Sequence, residues 1–328
     1  MTLTIAAAGV LASATLFPLT AEAAGAATAA PAVMTSTFLQ PSGTTIPWTA
    51  KQYQSEISLE RAAGITGIVD QWTIDEDANQ AYYPDASGWY PRSSDMTDPL
   101  LSAAGAAGDT VWLGLANVSA WQSHAGDASW LNNQLYVQEQ TADQLYKLYG
   151  SNKTFKGWYL SFEVSDQELG SSADATAMKS FFTSLTTYLH THDGDKPVMT
   201  SPTYEHLTLS PAQFASSVAS VLGGFDVINV QDSGGSGYEQ PSDITNWFTA
   251  LHKALAGTRS SLWDDPDLFS ASNKGGPMTP AQLQANLKAA YGQVSGYSGF
   301  SFTTQLDPNL IGTSSYYNAY VSYERKQS

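Results

Sequence analysis

Cysteine is absent from this chain, which excludes both a disulfide framework and a thiol nucleophile. Basic residues are scarce: 14 Lys and Arg stand against 30 Asp and Glu, a net charge of −16. Nucleic-acid backbones and anionic membranes are held by clustered cations, so neither is an expected partner, nor is a polyanionic substrate. No glycine-rich phosphate loop follows the first strand-like segment, and no G-x-S-x-G elbow occurs. The five histidines, at 124, 190, 192, 206 and 252, lack metal-ligand spacing. Asp264, Asp265 and Asp267 are close in sequence but follow no EF-hand pattern. No cofactor and no metal are therefore expected. Nor does any stretch beyond the opening segment reach the roughly 18 apolar residues of a membrane helix.

What the chain does have is aromatic and neutral polar surface. Apolar residues make up 42%, enough for a substantial core, and charged residues only 13%. Nine Trp and seventeen Tyr offer flat amphipathic faces that suit a neutral polar ligand such as a carbohydrate, although most will pack in the core. The opening stretch "TIAAAGVLASATLFPLTAEAAGAATAA" reads as an export signal with small residues near Ala21 to Ala24, without the usual basic start. A signal peptide and Ala/Thr-rich spacer over 1–32, followed by one domain over 33–328, is the expected organisation, in a secreted or periplasmic protein that is monomeric once processed.

Beyond the spacer, strand-like and helix-like segments alternate. Strands are expected at 33–41, 64–72, 109–117, 155–163, 196–204, 225–233, 260–269 and 299–308, each followed by a helical pattern except the second, which leads into a long polar insertion with "AYYPDASGWYP". Ser210 is an expected N-cap and Gly223 an expected stop for one of these helices. Alternation of this kind implies parallel crossovers, and eight units in one chain match a single (β/α)8 TIM barrel of the α/β class. An open doubly wound sheet is the rival.

Barrel chemistry sits where strands end. In "GWYLSFEVSD" (157–166), Trp158, Leu160 and Phe162 share one face, while Gly157, Tyr159, Ser161 and Glu163 share the other. An apolar strand thus finishes on an inward carboxylate. Alone, Glu163 could be a solvated strand end. Gln40, Gln71, Trp72, Asn117, Tyr204, Gln231 and Gln305 also end strands, and parity turns Ser301, Thr303 and Gln305 inward opposite Phe300 and Phe302. In "LWDDPDLF", Trp263 and Asp265 face inward, Asp264 faces out, and Asp267 lies just beyond. Asp232, in "NVQDSGG", has the wrong parity to point inward and is equally readable as a turn cap or a substrate contact. A carboxylate on strand four opposite acids on strand seven is what glycosidic cleavage needs: one protonates the leaving oxygen, the other attacks carbon or activates water.

The segments "FLQPS", "VDQW" with "YYP", "GWYLSFEVSD", "VMTSPTY", "FDVINVQDSGG", "LWDDPDLF" and "YYNAYVSYER" resemble the secreted, glycoside-hydrolase-like barrel family known as domain of unknown function 4434, over about Val33 to Arg325. The resemblance implies a glutamate at Glu163, a Gln-Asp pair at Gln231 and Asp232, and a W-x-D-x-E-x-F pattern at Trp263, Asp265, Asp267 and Phe269. The family's glutamate is Asp267 here, one methylene shorter.

The expectation is a secreted glycoside hydrolase acting on a poly- or oligosaccharide. Glu163 would be the general acid/base, Asp267 or Asp265 the nucleophile or base, and Asp232 an assisting acid. Gln40, Gln71, Trp72, Asn117, Tyr159, Tyr204, Gln231, Trp263 and Gln305 would bind substrate. A non-catalytic carbohydrate-binding barrel is the alternative, with a lyase or transglycosylase behind it.

Overall fold

In the computed structural model, which describes residues 31–84, 89–92, 94–194 and 196–327, the first element is an apolar strand, β1 (Ser36–Leu39). It is followed by β2 (Gly67–Asp70), β3 (Thr110–Gly114), β4 (Phe155–Leu160), β5 (Val198–Thr200), β6 (Val227–Gln231), β7 (Ser261–Asp265) and β8 (Ser298–Gly299). These run parallel in one eight-stranded sheet, with β8 against β1. Single bridges from Asp264 to Tyr297 and from Asp267 to Phe300 bring β8 back to β7, so the sheet is a nearly closed barrel and not an open doubly wound one. The leader and most of the spacer, assigned to 1–32, lie outside the described residues.

Helices cover the outside: α1 (Ala50–Ala62), α2 (Thr97–Ala107), α3 (Ala128–Tyr149), α4 (Ser172–His192), α5 (Pro211–Val221), α6 (Pro241–Leu255), α7 (Pro280–Ala289) and α8 (Ser315–Glu324). Local chemistry starts several of them. Thr49, Ser210 and Thr279 each form a capping box with a glutamine three residues on, and Pro follows at N1 in α5 and α7. Ser210 is thus the N-cap its position suggested. Outward-facing strand residues such as Ile68, Leu113, Trp158 and Ile228 join the helix faces in the main core. A second, smaller core fills the barrel itself. Phe38, Val69, Trp112, Tyr159, Met199 and Val227 come one from each of the first six strands, with Trp263 and Phe300 packed against them.

All eight strands stop two or more residues short of their expected ends, and in three the chain goes on to build other structure. The third stops at Gly114, and Ala116–Asn117 then pairs with Ile74–Asp75 in a small sheet above the barrel. Gly114 permits this because a Cβ there would lie 2.4 Å from the Gln71 carbonyl oxygen. The seventh stops at Asp265, and Phe269–Ser270 turns into a hairpin with Gly276–Pro277. The eighth is only Ser298–Gly299: Phe300 packs inside the barrel against Phe38, at 5.9 Å between ring centroids, and Phe302–Gln305 is a helical turn. The predicted alternation through Gln305 therefore fails, because the chain leaves the extended conformation once Phe300 has filled the interior.

Candidate active site

The upper mouth of the barrel is built from the turns that follow β4, β6 and β7. Glu163 lies three residues beyond β4. Immediately after it, Ser165 and Glu168 form a capping box: the Ser165 backbone N–H and hydroxyl donate to Glu168 Oε2 at 2.8 and 2.6 Å. This box starts the short helix Asp166–Gly170 and stops the strand from running on, so Glu163 stays at the mouth. Asp166 is buried and accepts backbone N–H groups from Glu205, Leu207, Thr208 and Leu209 at 2.7 to 3.3 Å. One carboxylate thereby clasps the loop after β5 and holds Glu205 near Glu163.

Glu163 is half-buried and lines a cleft of about 200 Å³ with Gln40, Gln71, Trp72, Asn117 and Ser161. Gln71 Nε2 lies 3.5 Å from Glu163 Oε1, the long limit of a hydrogen bond. The Ser161 hydroxyl donates to Asn117 Oδ1 at 3.1 Å. Burial raises the Glu163 pKa to about 7; the Gln231 amide opposes this, while the charges of Asp267 and Glu205 add to it. A second hollow of about 250 Å³ opens from the same Gln40, lined by Ser42, Thr44, Thr45, Ser301 and Thr303.

Asp267 is buried, with its Oδ2 accepting the backbone N–H groups of Gly235 and Ser236 at 3.0 Å each and the Ser236 hydroxyl at 3.3 Å. Its pKa is raised to about 6 by burial, held down by those same donors. Asp265 is buried beside it without any such donor set: Oδ1 has no hydrogen-bond partner, and burial with four acidic neighbours pushes its pKa well above the carboxylate range. Burial raises both acids, but only Asp267 has donors that favour its ionised form, a difference that sequence parity left open.

The other expected site residues divide into two groups. Gln40, Gln71, Trp72 and Asn117 line the cleft with Glu163, and Gln231 reaches it from β6. Tyr159 lies directly beneath, fully buried, its hydroxyl without a partner, so it forms the floor of the site. Four residues are elsewhere. The Asp232 Oδ1 accepts the N–H groups of Gly234 at 2.9 Å and Asp267 at 3.3 Å, so Asp232 caps its own turn behind the wall. Tyr204 donates to the Leu209 carbonyl and packs on Phe214 and Trp247 among the helices. Trp263 points inward but toward the lower end of the barrel. Gln305, in its helical turn, donates to the Gly275 carbonyl at 3.2 Å. Asp264 faces outward as expected, with both oxygens buried and unpartnered.

Several residues at the mouth escape sequence reading. Ser119, Trp121 and Gln122 line the cleft from a single 3-10 segment, Ser119–His124; the signal was the polar-aromatic "SAWQSH" after strand three. Gly235 and Ser236 were legible only as a turn. Among the described residues no group of acids and histidines is arranged to hold a metal ion, and no helix is long and apolar enough to cross a membrane.

The model of the family described as domain of unknown function (DUF4434) matches residues 34–311. Among curated proteins none matches the sequence. Solved structures do resemble the fold. A "putative alpha-L-fucosidase" from Bacteroides thetaiotaomicron VPI-5482 superposes with a TM-score of 0.70 at 20% identity, over 90% of this chain and 95% of that one. A beta-galactosidase from Halorubrum lacusprofundi gives 0.61 at 8% identity over 90% of this chain and 58% of its own. A GH18 chitinase from Pseudoalteromonas aurantia gives 0.53 at 13%, over 89% and 100%. These likenesses are kinship of fold with glycoside hydrolases.

Proposed function

We propose that this chain, which belongs to the DUF4434 family, is a glycoside hydrolase that cleaves a poly- or oligosaccharide with Glu163 as general acid and Asp267 as its carboxylate partner. The observation that carries this reading is the pair of environments. One carboxyl group with a pKa of about 7 lines an open, amide-rich cleft; a second, of about 6, is close enough to perturb it. Environments that separate two carboxyl groups in this order make one the proton donor and the other the base.

In the proposed step a sugar occupies the cleft, its hydroxyls on Gln40, Gln71 and Asn117 and its ring against Trp72. Glu163 gives its proton to the glycosidic oxygen as the bond to the anomeric carbon breaks, and the freed alcohol leaves. Asp267 attacks that carbon or takes a proton from the water that does. Asp265, buried with no hydrogen-bond partner on Oδ1, packs beside the pair. Export to a periplasmic or extracellular space belongs to the same reading and rests on residues 4–30, outside the described residues.

A second reading is a carbohydrate-binding barrel without turnover, favoured by the burial of Asp267 and its three donors on one oxygen. Incubating the purified chain with a panel of glycans, beside Glu163→Gln, separates the two. Reducing ends released by wild type and not by the variant support hydrolysis. Saccharide binding without release on any glycan supports the binder, and equal release by both proteins removes Glu163 from its role.

A further inference from the structure

The lower end of the barrel, opposite the mouth, is hollow. TIM barrels ordinarily fill their interior with layers of bulky side chains. Here the layer of Phe38, Val69, Tyr159 and Trp263 is filled, but the inward positions one step below on β1, β2 and β7 carry Ser36, Gly67 and Ser261, whereas Gly157 on β4 is covered by the Trp112 ring, 2.6 Å from where a Cβ would stand. Side chains this small leave a cavity of about 520 Å³ under the core, within the roughly 300–1,000 Å³ of ligand pockets. It is larger than the cleft around Glu163.

Its lining has a definite chemistry. Trp112 and Trp263 form the roof, edge to face at 6.4 Å. Gly296 backs Trp263 so closely that a Cβ there would lie 2.6 Å from the indole, yet the ring stays part-exposed and lines the cavity. Ser36 is 3% exposed, lines the same cavity, and its hydroxyl has no hydrogen-bond partner. Such an orphaned polar group in a built hollow calls for a ligand partner. At the rim, Arg259 donates to Asp226 Oδ1, and Asp226 Oδ2 accepts the Val198 N–H at 2.8 Å, so a fixed pair of planar charged groups borders the opening.

We infer that this hollow is a second saccharide site, separate from the mouth, which takes a pyranose ring against Trp263 with its hydroxyls on Ser36, Ser261 and the Asp226–Arg259 pair. Indole faces carry the apolar C–H surface of a sugar ring while hydroxyl and charged planar groups satisfy its oxygens. The inference rests on residues remote from Glu163 and holds whether or not the mouth turns over a glycan.

The test is binding of galactose, cellobiose and glucuronate to the full-length chain, followed by tryptophan fluorescence and saturation-transfer NMR. Ser261→Tyr fills the hollow from an exposed strand end, and thermal melting checks that it folds. The expected result is a fluorescence change with at least one of these sugars that persists in Glu163→Gln and weakens about tenfold or more in Ser261→Tyr. Ser36→Ala, which removes only an unpartnered hydroxyl, should fold as wild type and bind more weakly. The inference is overturned if none of the sugars binds at millimolar concentration, or if binding is unchanged in a folded Ser261→Tyr protein. Binding abolished by Glu163→Gln would also overturn it by assigning the signal to the mouth.

Discussion

Gly235 donates its backbone N–H to Asp267 Oδ2 at 3.0 Å, and a Cβ at position 235 would stand 2.5 Å from the Asp267 Cβ. The loop after β6 is thus moulded to an aspartate. The loop closes on this short acid, and Asp232, which accepts the Asp267 N–H, braces the turn behind. Gly235→Ala should displace the Asp267 carboxylate, destabilising the fold by about 1–3 kcal/mol. Asp267→Glu should push the carboxylate off its donors and cost turnover roughly a hundredfold. Kinetics of the two variants on one cleaved glycan, with melting curves, check both.

Removing the proton donor has its own signature. Glu163→Gln keeps the shape and the contact with Gln71 but cannot protonate a leaving oxygen. Turnover of natural glycosides should fall on the order of 10²–10⁴-fold, and an aryl glycoside whose leaving group needs no proton should lose far less. Equal losses on both substrates would count against the assigned role.

The pH profile follows from the two raised carboxyl groups. Asp267 must be ionised, so activity rises through about 6, and Glu163 must be protonated, so activity falls through about 7. A narrow bell between these values is expected, its limbs belonging to the coupled pair. A sugar-independent activity with a flat profile from pH 5 to 9 would remove the pair from the mechanism.

Stability should depend on pH as well, for a different reason. Asp70, Asp264 and Asp265 are buried with raised pKa values, and Glu60 is raised to about 8, burial being the leading cause in each case. A carboxyl group whose folded pKa exceeds its unfolded one binds protons preferentially in the folded state. Its contribution is full below about 4 and is lost as pH rises through the folded value. The melting temperature should therefore be higher at pH 5 than at pH 8. Asp70→Asn, which replaces a carboxyl with two unpartnered oxygens, should flatten that slope, and thermal scans across the range measure it.

Asp166→Ala would strip four backbone N–H groups of the 205–209 loop of their acceptor. Buried donors left unsatisfied cost on the order of 3 kcal/mol in total. Loss of the clasp should also raise KM more than it lowers kcat, since Glu205 would no longer be held beside the cleft. Steady-state kinetics with denaturant titration separates these effects.

Much of the fold was legible because hydrophobic period and turn chemistry are local. The alternating segments, the Ser210 cap and the inward parity of Glu163 follow from neighbours a few residues apart. Where the reading failed, a distant residue decided. The eighth strand is cut short at Phe300 because Phe38 and the interior need that ring, and nothing between 299 and 308 announces it. Tyr204, expected to end the fifth strand, lies four residues beyond β5 and belongs to the helices, since Phe214 and Trp247 receive it.

By itself, then, the amino-acid order determined an eightfold alternation of strands and helices, its acidic and cysteine-free character, and one glutamate at the inner edge of the fourth strand. The tertiary structure alone decided which strand-seven acid has donors that favour its ionised form, because the donors on Asp267 come from a loop more than thirty residues earlier in the chain. It also decided that Trp263 looks down and not up, into a hollow lined by the small residues Ser36, Gly67 and Ser261 of three separate strands. Side-chain alternation is a property of one strand, whereas burial, charge state and cavity arise only where strands meet.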